Sequence, residues 1–222
     1  MKQHTMNDCF DALIQYAAEQ GLSEIIYKTI PHVYHLQPAE EDRYSLFSHG
    51  AELITVDAST VINLSAPLKM QKRRKAQISR ARREGVEIKV LTELSDYEAF
   101  IDLVNSVLEE RHNTRAVHTS AELKLLHDRF PESIKLYGAM KDGKLIAGTV
   151  VYVYSQAIHT QYMAANEEAR VIGALDLAVA TVIEEYKSSK LWADFGISTE
   201  HGRIYLNEGL ISQKEGFGGR TN

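Results

Sequence analysis

Hydrophobic and polar residues follow two different periods along this chain. In "SDYEAFIDLVNSVLEERHN" the apolar residues Phe100, Leu103, Val104, Val107 and Leu108 recur at spacings of three and four, which predicts an amphipathic helix. Later segments such as "KLIAGTVVYVY" are rich in β-branched and aromatic residues, which is typical of strands. Helical and strand-like segments alternate, so the pattern predicts a mixed α/β fold.

Three strand-like segments follow one another in the second half: "IKLYGAM", "KLIAGTVVYVY" and "AIHTQYMAAN". A turn signal at residues 141–144 separates the first two, and Ser155-Gln156 separates the second from the third. We therefore predict an antiparallel meander. It is followed by a helix in "GALDLAVATVIEEYKSS", a strand in "LWADFG" and a short helix. This order predicts a mixed sheet with helices on both faces.

The N-terminal residues 1–66 give a simpler pattern. Residues 7–21 have helical spacing, and "EIIYKTI" at 24–30 is strand-like. A second helix is predicted at 38–50, and one or two strands at 51–64. The order expected for this part is helix, strand, helix, strand.

Composition narrows the cellular setting. The apolar runs of this 222-residue chain are too short to span a bilayer, and the start lacks a secretory signal, so we expect no membrane insertion. A single cysteine, Cys9, excludes an intramolecular disulfide. These features predict a cytoplasmic protein.

Positive charge is concentrated in one segment, although the net charge of the chain is −5. Residues 69–85 contain eight basic residues against one acid, Glu84. On a helix five of these basic residues form a cationic stripe, and Met70, Ile78 and Ala81 lie on another side. Such a stripe suits the phosphates of a transfer RNA or of a nucleotide-linked precursor, and the alternative is a solvated face balanced by the acidic remainder. The residues of the stripe are Lys69, Lys72, Arg73, Arg80 and Arg83.

A candidate anion-binding loop lies in "NEEARVIGALDLAV", between the third meander strand and its helix. Unpaired amides at a helix N-terminus favour phosphate. Arg170 supplies a charge, and the small residues Gly173 and Ala174 allow close approach of the backbone to a ligand. The alternative is a tight turn in which the glycine serves packing.

The meander, the Arg-x-x-Gly-Ala loop, the helix and the next strand together resemble the core of the GNAT acyltransferase superfamily. The segments "LYGAMKDGKLIAGTVVYVYSQAIHTQYMAAN", "DFGIST" and "QKEGFGG" are similar to its FemABX-like branch, the peptidoglycan-bridge aminoacyl transferases and their relatives. Those proteins contain two GNAT-like units in tandem. The basic "KMQKRRKAQISRARREGVEIKV" resembles the opening of the second unit.

The resemblance implies a division of the chain. Residues 1–66 match the back half of a first GNAT-like unit, and residues 67–222 match a second unit. In relatives the Lys-Glu-Gly-Phe-Gly loop leads into a closing strand, so we expect that strand to be missing and the chain to be a truncated relative. The alternative is a reduced, self-sufficient variant. An open sheet edge would allow a homodimer.

The implied activity is transfer of an acyl or aminoacyl group to the amine of a small molecule or peptide. No permanently bound cofactor is expected; the co-substrate is acyl-coenzyme A or aminoacyl-tRNA. Coenzyme A is favoured by the loop, whose pyrophosphate site would comprise Arg170, Ile172, Gly173, Ala174 and Leu175. Aminoacyl-tRNA is favoured by the closer likeness and the basic helix. The competing hypothesis is a non-catalytic relative that binds RNA or an anionic cell-wall precursor through that helix.

Three residues are candidate catalytic groups. Tyr162 would protonate a leaving group, or serve the core as strand aromatics do. It lies three residues from His159, so we expect the two to face opposite sides of the sheet and only one to reach a cleft. Glu167 would act as a base or only complement a helix dipole. Asp194 ends a strand, where it would face a ligand or cap the following turn.

A second set of residues is expected to bind substrate. By resemblance, Lys214 lies near a donor or acceptor phosphate, with Phe217 packed beneath it; the alternative is a solvated lysine in a tail. Lys69, Arg73 and Arg80 are the basic-helix candidates. His32 and His35 have no further ligand cluster beside them, so no metal site is predicted.

Overall fold

The computed structural model describes residues 1–200 and 204–222, except for the side chains of residues 111 and 112. The chain forms two compact units, residues 1–56 and residues 57–222. Within the described residues, no helix combines the length and the apolar character needed to cross a bilayer.

The first unit contains helix α1 (Gln3–Glu19), a short 3-10 helix (His32–Tyr34) and helix α2 (Glu41–Ser48). Its two predicted helices are present, but the strand predicted at 24–30 is absent: that segment has no strand partner among the described residues, and Ile25, Ile26 and Ile30 are exposed. Branched residues favour a strand only when a neighbouring ladder satisfies the backbone groups, and here that neighbour is missing.

The second unit contains all the strands that the structure describes. Its elements in chain order are β1 (Ser59–Asn63), α3 (Lys72–Arg83), β2 (Glu87–Leu91), α4 (Leu94–His112), α5 (Ser120–Arg129), β3 (Ile134–Lys141), β4 (Lys144–Val153), β5 (Ala157–Ala165), α6 (Glu167–Ile172), α7 (Ala174–Tyr186), β6 (Trp192–Ile197), β7 (Thr199–Glu200), β8 (Tyr205–Leu206), α8 (Glu208–Glu215) and β9 (Arg220–Thr221).

One seven-stranded sheet organises this unit, in the order β2-β3-β4-β5-β6-β1-β9. All neighbours are antiparallel except β5 and β6, which are parallel. The predicted meander is therefore confirmed as β3, β4 and β5. Its first hairpin turns through Asp142 and Gly143, whose positive φ angles of 49° and 74° match the right-handed twist of the strands.

Helices cover both faces of the sheet, as predicted. On one face α3 and α7 bury Ile78, Ala81 and Val179 in a core that includes Ala193 and Phe195 of β6. On the other face α4 and α5 bury Phe100 and other apolar side chains against β3 and β4. The layer formed by α4 and α5 lies over β2 to β5. Strands β6, β1 and β9 extend the sheet beyond β5.

The boundary between the two compact units lies between residues 56 and 57, and the predicted division into GNAT-like units at residue 66 stays a prediction. β1 pairs with β6 and with β9, so Ser59–Asn63 is part of the second unit's sheet. The closing strand expected to be missing has a short counterpart in β9, which pairs through two residues. That residues 1–66 correspond to the back half of a first GNAT-like unit stays a prediction, as does a dimer through an open edge.

Candidate active site where β5 and β6 diverge

The parallel pairing of β5 with β6 is short. It joins Ala157–His159 to Trp192–Asp194, and β5 then continues to Ala165 beside β4 alone. Two strands that stop pairing leave backbone groups without ladder partners along the gap between them. His159 and Asp194 are the last paired residues, so they stand at the start of this opening.

A β-bulge in β5 changes the direction of the side chains near the opening. Val150 pairs with Tyr162 and Val151 with Thr160, so Gln161 is an extra residue in β5. One extra residue reverses the alternation of side chains between faces. His159 and Tyr162 therefore lie on the same face of the sheet, and the expectation that they face opposite sides is wrong.

A second irregularity lies in β6 beside β1. Val61 pairs with Asp194 but Ser59 pairs with Ile197, so β6 carries one extra residue between these pairs. Gly196 lies in this segment with φ of +68°, a conformation that glycine adopts without strain. Its amide donates to Asp194 Oδ1 at 2.7 Å. The bulge thus directs a backbone amide of β6 toward the side chain of Asp194.

Asp194 is the centre of the hydrogen-bond cluster at this place. It is buried, and its Oδ1 also accepts from Ser59 Oγ at 2.9 Å. His159 Nδ1 lies 2.8 Å from Asp194 Oδ2. An ionised carboxylate only accepts hydrogen bonds, so this contact suits a His159 ring that donates from Nδ1. The side chain of His159 keeps 22 % of its surface exposed, against 6 % for Asp194.

Lys214 of α8 brings a buried cation to the same strand end. It is only 3 % exposed, and its Nζ donates to the carbonyl oxygens of Gly196 at 3.0 Å and Ile197 at 2.5 Å. Burial lowers the pKa of the Lys214 ammonium to about 8, although the negative charge of Asp194 acts in the opposite direction. The alternative of a solvated lysine in a tail does not describe this residue.

Phe217 is also buried, and its place beneath Lys214 stays a prediction. Its ring lies 5.7 Å from that of Phe195 and 5.6 Å from the guanidinium carbon of Arg74. It therefore joins the core on the α3 face of the sheet and supports the segment after Lys214.

Tyr162 shares the face of His159 but is engaged by another part of the unit. Its hydroxyl lies 2.8 Å from His118 Nδ1 and accepts from the backbone amide of His118 at 3.3 Å. The segment between α4 and α5 is thus held against β5 through this phenol. The geometry makes Tyr162 an anchor for that segment.

The candidate pyrophosphate loop is packed against α3. Gly173 has φ of +79°, and a Cβ added there would lie 2.6 Å from Gln77 Cβ and 2.8 Å from Gln77 O. Ile172 and Ala174 are buried, and the amide of Gly173 donates to Ala169 O at 2.9 Å. The close approach of α3 therefore requires a glycine at residue 173. This observation supports the alternative in which the glycine serves packing.

The first turn of α7 also carries its own charge compensation. Asp176 is buried there, and Arg74 Nη1 donates to both of its carboxylate oxygens at 2.9 and 2.8 Å. Burial raises the pKa of Asp176, and Arg74 opposes that rise. A carboxylate in the first turn stabilises the positive end of the helix dipole, so this terminus already has its anion.

The remaining candidate residues lie outside the His159 cluster. Glu167 and Glu168 are exposed in the first turn of α6, and Glu168 pairs with Lys141 at 2.8 Å. Arg170 is exposed, 4.0 Å from Glu110. Arg73 and Arg80 are exposed on α3, whereas Lys69 precedes the helix.

Sequence reasoning missed His159 as a site residue, and it missed Ser59 altogether. Both are recruited by strand pairing: β5 with β6, and β1 with β6. The sequence shows that His159 and Asp194 lie on two predicted strands. It does not show the register that makes these two residues neighbours. Among the described residues, no group of three His, Cys, Asp or Glu side chains is placed to hold a metal ion.

An antiparallel meander, a crossover helix and a parallel strand that diverges from the meander define a GNAT-type acyltransferase fold. A family model described as "Acetyltransferase (GNAT) domain" matches residues 69–201. The chain belongs to this family, and the predicted superfamily is confirmed.

Comparison with solved structures extends the likeness to nearly the whole chain. FemX matches with a TM-score of 0.70 at 11 % identity, covering 97 % of this chain and 75 % of its own. L-PGS from Bacillus licheniformis matches at 0.69 and 14 %, covering 96 % and 70 %. A Bacteroides thetaiotaomicron protein of unknown function matches at 0.63 and 15 %, covering 95 % and 71 %. At these identities the likeness is one of fold, and it agrees with the predicted FemABX-like branch. No curated protein sequence matches the chain.

Proposed function

We propose that this protein is an N-acyltransferase that moves an aminoacyl group from aminoacyl-tRNA to the amine of a small molecule or peptide. The observation that carries the proposal is the His159–Asp194 pair, held at 2.8 Å where β5 and β6 stop pairing. A histidine oriented by a buried carboxylate is a common form of general base, and its partly exposed ring can meet a substrate.

The reaction requires three tasks: a proton leaves the attacking amine, charge on the acyl oxygen is stabilised, and the leaving group is protonated. The cluster offers a candidate group for each task. His159 Nε2 takes a proton from the attacking amine while the new N–C bond forms at the acyl carbonyl. Asp194 stabilises the resulting imidazolium. As the C–O ester bond breaks, the same proton passes to the departing ribose hydroxyl of the tRNA.

Charge on the acyl oxygen needs a donor during this reaction. Lys214 Nζ uses two of its hydrogens on backbone carbonyls, and its third has no partner among the described residues. Backbone amides along the gap beyond His159 are the other candidate donors. Oriented donors in a site shielded from water stabilise an oxyanion far more than they would in bulk solvent.

The choice of aminoacyl-tRNA over acyl-coenzyme A follows from the loop at Gly173. Coenzyme A would bring its pyrophosphate to the amides of Ile172 to Leu175, but α3 packs against that loop and Asp176 already compensates the helix dipole. An aminoacyl ester needs no pyrophosphate site. The fold likeness to FemX and L-PGS over 96–97 % of the chain supports the same choice.

Other residues take supporting parts in this proposal. Tyr162 positions the segment that carries His118, and Lys69, Arg73 and Arg80 are expected to meet tRNA phosphates. A base role for Glu167 stays a prediction. Charged tRNA is a cytoplasmic substrate, in keeping with the expected location.

The test is a donor competition with purified protein. Unfractionated tRNA charged with ¹⁴C-amino acids and ¹⁴C-acetyl-coenzyme A are offered separately to a panel of amines and amino-terminal peptides. Mild alkali then removes label still held as ester, so that only amide product is counted. We expect amide product from aminoacyl-tRNA alone. Product from acetyl-coenzyme A alone would overturn the donor, and no product from either would favour the non-catalytic alternative.

A further inference from the structure

Helix α3 presents an exposed cationic surface on the second unit. We name it the α3 patch: Lys72, Arg73, Lys75, Arg80, Arg82 and Arg83. The remaining basic residue of the helix, Arg74, points inward and pairs with Asp176. Ile78 and Ala81 are buried, as predicted, and fix which side of the helix faces outward.

The charges of the α3 patch are not compensated within the unit. In the part of the chain that the structure describes, none of its side chains forms an ion pair. Lysines and arginines elsewhere in the unit commonly do, as in Lys124–Asp128, Lys141–Glu168 and Arg115–Glu109. A solvated surface of ordinary composition mixes both signs of charge, and this one does not.

The order of charges along α3 is also unfavourable for an isolated helix. Lys72, Arg73, Arg74 and Lys75 are its first four residues, and that first turn has no acidic residue. Cations there oppose the positive end of the helix dipole. Only Arg74 has a buried carboxylate partner. The other three stand where an external anion would relieve them.

We propose that the α3 patch docks the sugar-phosphate backbone of the RNA donor; the identity of that RNA as donor rests on the function proposed above. Twelve residues make a helix about 18 Å long, which is enough to follow several phosphates. The helix contains no aromatic residue, so contacts to phosphates rather than base stacking are expected. Its exposed side also lacks the large apolar residues with which an interfacial helix enters a membrane.

The patch is close to the segment that carries the candidate site. The amide of Gln71, just before α3, donates to Gly216 O at 2.9 Å. A Cβ at Gly216 would lie 3.0 Å from Arg74 Nε, and Phe217 lies under the Arg74 guanidinium. The first turn of α3 is thus braced on the residues that directly follow Lys214.

The experiment measures binding of uncharged, unfractionated tRNA to the full chain by fluorescence anisotropy from 50 to 300 mM NaCl. The test variant is Arg73→Gln/Arg80→Gln/Arg83→Gln. The matched control, Arg129→Gln/Lys144→Gln/Lys187→Gln, removes the same charge from exposed positions elsewhere in the unit. Circular dichroism and thermal melting check that both variants fold. Vesicles of equal parts phosphatidylglycerol and phosphatidylcholine serve as the competing anionic surface.

The expected result is that the α3 variant weakens tRNA binding on the order of tenfold or more at 100 mM NaCl. The slope of log K against log[NaCl] should fall by about 2 to 3, and the control should stay within about twofold of wild type. Equal losses in the two variants would overturn the proposal, and so would tighter binding to vesicles than to tRNA. Uncharged tRNA is used so that binding is independent of transfer. Failure of transfer with a selective α3 effect would remove the proposed function alone, and transfer without that effect would remove the docking surface alone.

Discussion

Two clusters of buried charge lie on opposite faces of the same sheet, and they are built differently. On the α3 face, Arg74 Nη1 donates to both oxygens of Asp176, with Phe217 packed on the guanidinium. On the other face, Asp194 accepts from Ser59 and Gly196 and holds His159, whose ring keeps partial access to solvent. In the first cluster the two charges pair with each other, whereas the second places a partly exposed histidine ring where β5 and β6 stop pairing.

We interpret the Arg74–Asp176 cluster as a structural ion pair and the His159–Asp194 cluster as the proposed chemical site. Both clusters contain a buried aspartate near a helix or strand end, which is where ligand sites of α/β proteins are sought. In the Arg74–Asp176 pair the two charges compensate each other. Removing either one leaves the other as an unpaired buried charge, which destabilises the fold. At Asp194 the carboxylate contacts the histidine that we propose as the base, and the nearby Lys214 has no acidic partner within hydrogen-bond distance among the described residues.

The largest expected effect comes from Asp194→Asn. The amide keeps the size of the side chain but cannot accept from the His159 Nδ1 hydrogen and from Ser59 and Gly196 as a carboxylate does. We expect the transfer rate to fall about 10²- to 10⁴-fold, the usual contribution of a general base. Single-turnover transfer from charged tRNA measures it. A loss below fivefold would mean that the cluster is as structural as the Arg74 pair.

Asp176→Ala should show the opposite profile, a loss of stability. It leaves the Arg74 guanidinium, whose side chain is only 17 % exposed, without its partner. We expect the free energy of unfolding in urea to fall by about 3 kcal/mol. The double variant Arg74→Met/Asp176→Leu removes both charges and should recover most of that loss. If the single variant is as stable as wild type, the pair is not the structural element inferred here.

Lys214 should make stability depend on pH. Its pKa is lowered to about 8 in the folded protein from its ordinary value of 10.5, so the folded state resists the charged form. The unfolded chain binds the proton more tightly between these values, so this group makes the protein more stable as pH rises from about 8 to 10.5. Relative to Lys214→Met, the wild type should gain about 2 kcal/mol between pH 7.5 and pH 10. A constant difference across that range would contradict the buried cation.

The smallest effect distinguishes packing from ligand binding at Gly173. Gly173→Ala combines a positive φ with a 2.6 Å contact to Gln77 Cβ, whereas Gly143→Ala has a similar φ of +74° and nothing within 4 Å. We expect Gly173→Ala to be less stable than Gly143→Ala by about 1–2 kcal/mol in urea unfolding. Equal stability of the two variants, with weaker acetyl-coenzyme A binding in Gly173→Ala alone, would instead support a phosphate-binding role for this loop.

The sequence predicts the elements of the second unit better than their relations. The meander and the helix after it depend on local periodicity and on the Asp142-Gly143 turn, and these were predicted. The extra residue at Gln161, which places His159 and Tyr162 on one face, has no local signature. The partners of β1 depend on long-range pairing, so the place of Ser59 beside Asp194 was not predicted.

The same limit applies to residues whose neighbours decide their meaning. A glycine at a strand-to-helix junction fits a phosphate or a packed helix equally well, and only the position of α3 distinguishes the two. The sequence left Lys214 open between a lysine near a phosphate and a solvated lysine in a tail, and its burial excludes the second. The strand predicted at 24–30 failed because propensity cannot supply a ladder partner.

The most direct test of the central claim compares His159→Gln with Arg170→Gln in single-turnover transfer from charged tRNA. His159 stands at the opening between β5 and β6, and Arg170 is an exposed cation in the last turn of α6, just before α7. Our account predicts a loss of about 100-fold or more for His159→Gln and a change within about twofold for Arg170→Gln. The reverse order, with Arg170→Gln inactive and His159→Gln near the wild-type rate, would contradict it.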